Sequence, residues 1–110
     1  VYHALFRCEG GVLTRLTDDC AISLAELKES LKNVAEPKIM VGDGAALCYN
    51  TLSEHVRGCV LAPTALRQQR ASGVALVARR LLLTGTKFDG AELIPNYLRL
   101  SQAERERMER

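Results

Sequence analysis

The chain has 110 residues, room for one small domain with a workable apolar core. Hydrophobic residues make up 47% and charged residues 25%, ordinary globular values that exclude wholesale disorder. Net charge is only +2, and no stretch approaches the roughly 18–20 apolar residues a spanning helix needs, so no membrane partner is expected.

Val1–Phe6 reads as a strand already under way, with no Met and no secretory leader before it. The expectation is a piece of a longer cytoplasmic chain. Val1–Arg7 and Val12–Leu16 are short apolar-rich runs split by Glu9-Gly10-Gly11, whose glycines supply the positive φ of a tight hairpin turn. Asp18–Ile22 extends the pattern as a third short strand.

Ser23-Leu24-Ala25-Glu26 is a capping box, in which hydroxyl and carboxylate each take the other residue's amide proton. Leu24, Leu27, Leu31 and Val34 follow at helical spacing, which predicts a helix over 23–34 before Pro37. Lys38–Val41 reads as a short buried strand ending at Gly42-Asp43-Gly44. A second helix starts at those glycines, with Ala45, Cys48, Tyr49, Leu52 and Val56 on one stripe. Arg57–Ala62 is another apolar run, stopped by Pro63. A third helix starts between Leu66 and Ala71 and runs to about Leu83, with Gly85 as its stop. Ala71, Val74, Ala75, Ala78, Leu81 and Leu82 share one arc of it, opposite Gln68, Ser72, Arg79 and Arg80. Glu92–Leu98 is extended and interrupted by Pro95, an edge strand or irregular crossing. Ser101-Gln102-Ala103-Glu104 is a second capping box, followed by an almost wholly charged end that is helical or disordered on its own.

This order predicts an α/β unit: one mixed sheet with an N-terminal antiparallel hairpin, then αβαβα. It is the order of a ribonuclease H-like subdomain of the actin-like ATPase kind, over residues 1–100, with a charged tail over 101–110.

Chemistry-bearing residues are sparse. Cys8, Cys20, Cys48 and Cys59 contain no C-x-x-C pair and read as small buried hydrophobes. His3 and His55 lack acidic neighbours at ligand spacing, so no metal site is assigned. Asp18-Asp19 is a loop pair, and no catalytic residues are named. Between His55 and Phe88 there is no acid, while Arg57, Arg67, Arg70, Arg79, Arg80 and Lys87 supply six positive charges. The preceding segment carries eight acids against five bases. The basic stretch faces RNA, an acidic protein or solvent, and no aromatic lies between Arg57 and Lys87 to stack on bases.

Several stretches together resemble the C-terminal half of the bacterial TsaB/YeaZ family. They are Val1–Arg7, Val41-Gly42-Asp43-Gly44-Ala45, Arg70–Leu76, and Glu92–Arg99 with its Pro95-Asn96-Tyr97-Leu98-Arg99 ending, followed by Ser101–Glu106. The resemblance implies a lobe whose N-terminal companion is absent. It also implies a non-catalytic partner in tRNA threonylcarbamoyladenosine modification, working with a TsaD-type catalytic subunit and a TsaE-type ATPase. tRNA contact would be at most indirect. The family's old glycoprotease label finds no zinc ligand pattern here. Arg99, Ser101, Glu104 and Arg105 are the candidate partner-binding residues. The end of the chain lacks an apolar anchor of its own, as a docking tail would, and exposed lobe surface is expected to drive self-association.

Gly42, Asp43 and Gly44 are the candidate cofactor-binding residues. In actin-like ATPases a glycine turn of this kind lies against adenosine, because glycine admits close backbone approach and a helix N-terminus favours anions. Asp43 would repel a phosphate, however, and the competing reading is a tight turn with Asp43 capping the next helix. No cofactor is assigned. The alternative function is therefore the second lobe of an actin-like nucleotide-binding enzyme.

Overall fold

The computed structural model describes residues 1–110. Its elements in chain order are β1 (Tyr2–His3), β2 (Phe6–Glu9), β3 (Val12–Arg15), β4 (Cys20–Ala21), α1 (Leu24–Lys32), β5 (Lys38–Met40), α2 (Ala45–Leu52), β6 (Cys59–Leu61), α3 (Thr64–Arg67), α4 (Ala71–Leu83) and α5 (Gln102–Met108). The chain is thus a mixed α/β protein.

The N-terminal hairpin forms as the glycines predict. Gly10 and Gly11 take φ of 56° and 77°, and β2 pairs antiparallel with β3 from Phe6↔Arg15 to Glu9↔Val12. At Leu5 the ribbon bends: its carbonyl accepts from the Leu16 amide at 2.8 Å, and its own amide donates to Thr17 Oγ1 at 2.8 Å. Beyond the bend β1 pairs antiparallel with β4, which is the expected third strand in shorter form.

The capping box opens α1 with both reciprocal bonds, Glu26 N–H to Ser23 Oγ at 3.2 Å and Ser23 N–H to Glu26 Oε2 at 3.0 Å. α1 presents Leu27 and Leu31 inward, where they meet Leu52 of α2 and Val56 just past it. Leu5, Ile22, Val34, Met40, Cys48 and Cys59 pack around these four. Met40 and Cys59 come from the inner face of the β5–β6 parallel pair, whose register matches Ile39 with Val60. Burial alternates along both strands, so Ile39 and Val60 point outward and are exposed.

One charged side chain is buried with this core. The Lys38 ammonium donates to the carbonyls of Val34 (2.6 Å), Glu36 (3.0 Å) and Arg57 (3.0 Å), so all three of its protons are used. It ties the end of α1 to the loop after α2, two connections that would otherwise leave carbonyls unpaired in the interior.

The single mixed sheet expected from the element order is absent: the strands form three separate two-stranded ladders. The break falls between β1 and β5. Val1 exchanges both backbone bonds with Ile22, which turns the amide and carbonyl of Tyr2 away from β4, and no backbone bond links Tyr2 to Ile39. Side chains reaching up from α1, Leu27 and Leu31, line the opening left between the two strands.

Past Ala62 the chain has no core of its own. α3, absent from the sequence expectation, is one turn held by Arg67, whose carbonyl accepts from Gly42 N–H at 2.7 Å and whose Nε donates to Ala62 O at 3.0 Å. Gln68 and Arg70 are extended, and α4 then runs to Leu83 without burying a residue. It stops at Gly85 (φ 95°): the Gly85 amide donates to Leu82 O at 3.2 Å and Thr86 to Leu81 O at 3.0 Å, a Schellman motif. Glu92–Leu98 forms no strand and crosses irregularly to α5, which begins at the second capping box.

Ser23→Ala is expected to cost roughly 0.5–2 kcal/mol, since it orphans the Glu26 amide and frees the carboxylate. Chemical denaturation reads this as a lowered midpoint with unchanged slope, and an unchanged midpoint would show that the cap contributes nothing.

Candidate functional site

Two concave surfaces are available. The first is the cleft between β1 and β5, about 470 Å³, with apolar walls and the Gly42–Gly44 turn at its rim. Gly42 has φ 102°, which requires glycine, whereas Gly44 has ordinary φ and a Cβ there would meet only Val1 Cγ1 at 3.7 Å. Two of the three amide donors of this turn are spent internally, and Asp43 N–H alone has no acceptor. Gly42 N–H bonds the Arg67 carbonyl, and Gly44 N–H bonds Asp43 Oδ1 at 3.0 Å. Lys38 also lines the cleft, but its ammonium is fully committed to carbonyls. A phosphate here would meet the Asp43 carboxylate and no free lysine, which opposes binding even though the Asp43 amide has no acceptor. Asp43 does not cap α2 as anticipated either: the N-cap is Gly44, with no side-chain bond to the helix.

His3 lines the same cleft, half-buried, its Nδ1 3.9 Å from Cys20 Sγ. Burial lowers its pKa from the ordinary 6.5. Burial also raises the Cys48 thiol, which favours an inert packing thiol over a nucleophile. All four cysteines are free, and Cys8 is exposed where a buried position was expected. No three His, Cys, Asp or Glu side chains converge at metal-binding distance.

The second surface is an open apolar groove along α4, about 710 Å³, walled by Val74, Val77 and Leu81 on the helix and by Phe88 and Leu93 on the segment after it. From there to the end of the chain the apolar side chains stand in solvent, with Ile94 79% and Tyr97 83% exposed. Among the four expected partner-binding residues, Ser101 and Glu104 are occupied with each other in the cap, Ser101 N–H to Glu104 Oε2 at 2.9 Å. Arg99 and Arg105 flank that cap without an ion pair. The basic stretch is divided by the same test: Arg67 is structural, while Arg57, Arg70, Arg79, Arg80 and Lys87 are exposed.

Sequence reasoning missed the groove. Its signal was present in Val77, which widens the α4 arc beside Val74 and Leu81, and in Phe88, an isolated aromatic after the helix stop.

Two measurements check this description. Calorimetry with ATP and magnesium is expected to show no binding, and a micromolar Kd would contradict the account of a turn that presents a carboxylate and no free cation. Proton NMR is expected to place the His3 midpoint below 6.5. The unfolded chain then binds the proton more tightly, so stability falls as pH drops through the interval between the two midpoints. A His3 midpoint at or above 6.5 would contradict its burial.

No protein-family model, curated protein or solved structure matches this chain.

Proposed function

We propose that this chain is a non-catalytic partner subunit in tRNA threonylcarbamoyladenosine modification, a ribonuclease H-like lobe supporting a TsaD-type catalytic subunit together with a TsaE-type ATPase. One observation carries the partner role: more than half of the exposed large apolar side chains lie from Leu66 onward, where no residue is buried. Large apolar patches on soluble proteins mark interaction surfaces. The pathway itself rests on the likeness of Val41–Ala45, Arg70–Leu76 and Pro95–Arg99 to the TsaB/YeaZ family. The element order supports the lobe assignment, with an antiparallel ribbon preceding the parallel β5–β6 pair.

In this reading the tail from Glu92 to Met108 is the docking element. Leu93, Ile94, Tyr97 and Met108 supply its apolar contacts, and Arg99 and Arg105 flank the Ser101 cap as free cations. The capping box preforms α5, which lowers the ordering cost on binding.

The test is gel filtration of the purified chain mixed with TsaD-type and TsaE-type subunits. Co-elution is expected, and Tyr97→Asp or Ile94→Asp should weaken it about tenfold or more without altering the circular dichroism of the free chain. Absence of co-elution, or a complex indifferent to both substitutions, would contradict the reading. tRNA alone is expected to leave the elution position unchanged.

A further inference from the structure

The β5–β6 pair is half covered. Its inner face lies on Leu52 and Val56, while its outer face shows Ile39 (69% exposed), Val60 (53%) and, just beyond, Val41 (64%) to solvent. Parallel strands are normally covered on both faces, by helices. The same chain carries one helix whose apolar stripe is bordered only by Phe88 and Leu93 and otherwise open to solvent. In α4, Val74, Val77 and Leu81 are all exposed, and so are Leu76 and Leu82 on neighbouring faces.

Sheet face and helix are a complementary pair that one copy does not close. α3 is fixed to Gly42 through the Arg67 carbonyl, and the extended residues Gln68 and Arg70 then lead α4 away. A compact protein of 12.1 kDa exposes about 6,000 Å². This chain exposes 9249 Å², an excess of about 3,200 Å². A standard interface covers only about 800 Å² per partner, and obligate dimers cover about 1,000–2,500 Å². The excess is on the scale of an obligate dimer with surface left over for a further partner.

We infer that α4 of one copy covers the Ile39–Val60 face of a second copy, and the reverse, in a two-fold symmetric dimer. A second copy is the occupant because it supplies both halves of the match, so the exchange closes without leaving either face bare. The pairing uses α4 and β5–β6, leaving the tail free for whichever complex it joins.

Sedimentation velocity on the full chain over a wide concentration range tests this. The expected species at the upper end has twice the 12.1 kDa mass. Ile39→Lys and Val77→Lys, both at exposed positions that do not support the monomer fold, should each raise the dimer Kd about tenfold or more. A disulfide experiment fixes the geometry, with Val60→Cys and Val77→Cys prepared separately in a Cys8→Ser background. A covalent dimer is expected on mixing the two and not from Val77→Cys alone. A monomer at every concentration, a dimer indifferent to both lysines, or cross-linking of Val77→Cys to itself would each overturn the proposal. Absence of a dimer in the unsubstituted chain, with co-elution of the TsaD-type subunit retained, would overturn this inference while leaving the proposed function standing.

Discussion

The structure depends on the contact of four side chains, Leu27 and Leu31 from α1 with Leu52 and Val56 from α2 and the turn after it. Leu52 is 1% exposed, and only seven of 110 residues are buried at all. Around these four, the elements up to β6 are positioned at one remove. Met40 and Cys59 bring the parallel pair, Leu5 and Ile22 bring the hairpin ribbon, and Lys38 closes the carbonyls that the connections leave open. A large-to-small change at Leu52 or Leu31 therefore removes more than its own contacts, because no second cluster holds the remaining elements.

The smallness of that core explains where functional surface lies. Fixing a residue's backbone costs about 1–2 kcal/mol, and the segment from Leu66 to Leu100 offsets little of that by burying its own side chains. Its order comes from local devices: the Arg67 anchor, the Schellman motif at Gly85 and the Ser101–Glu104 box. The radius of gyration, 16.6 Å against about 13 Å for a compact chain of this length, reflects the same imbalance. Apolar surface on such a scale is stable in water when another polypeptide covers it, and this connects the tail docking and the reciprocal dimer to a single physical cause. The cleft at the glycine turn belongs to a different category. Its Gly42 and Gly44 amides and the Lys38 ammonium are bonded within the chain, so it serves as a structural junction between α3, β5 and α2.

What was legible in the residues is what is decided locally. Ser23 with Glu26, Ser101 with Glu104, Gly10-Gly11 and Gly85 each act within a few positions, and each element end they mark is found where they place it. Helix 23–34 and the helix ending at Leu83 were readable for the same reason. Decisions between distant segments were not readable. Nothing in Tyr2 or Ile39 says that β1 and β5 stay apart, and the expected single sheet fails there. Lys38–Val41 read as a short buried strand, but how a lysine could be interior was not readable, because it takes three carbonyls converging from two loops. The α4 arc told which side of the helix seeks cover, but periodicity carries no information about which polypeptide provides it. For the glycine turn, composition suggested a ligand loop, and the bond to the Arg67 carbonyl that consumes the Gly42 amide is a tertiary fact.

The central claim is that residues 27–62 hold themselves together while residues 66–108 are completed by another chain. Amide hydrogen exchange at a series of protein concentrations tests it most directly. The account predicts that α1 and α2 are well protected at every concentration, and that β5 and β6 gain protection where the second copy's helix covers them. α4 should be weakly protected at high dilution and gain protection as concentration rises. Protection of α4 equal to that of α1 and α2 at the lowest concentration would mean that the single chain covers its own helix, and would contradict the account.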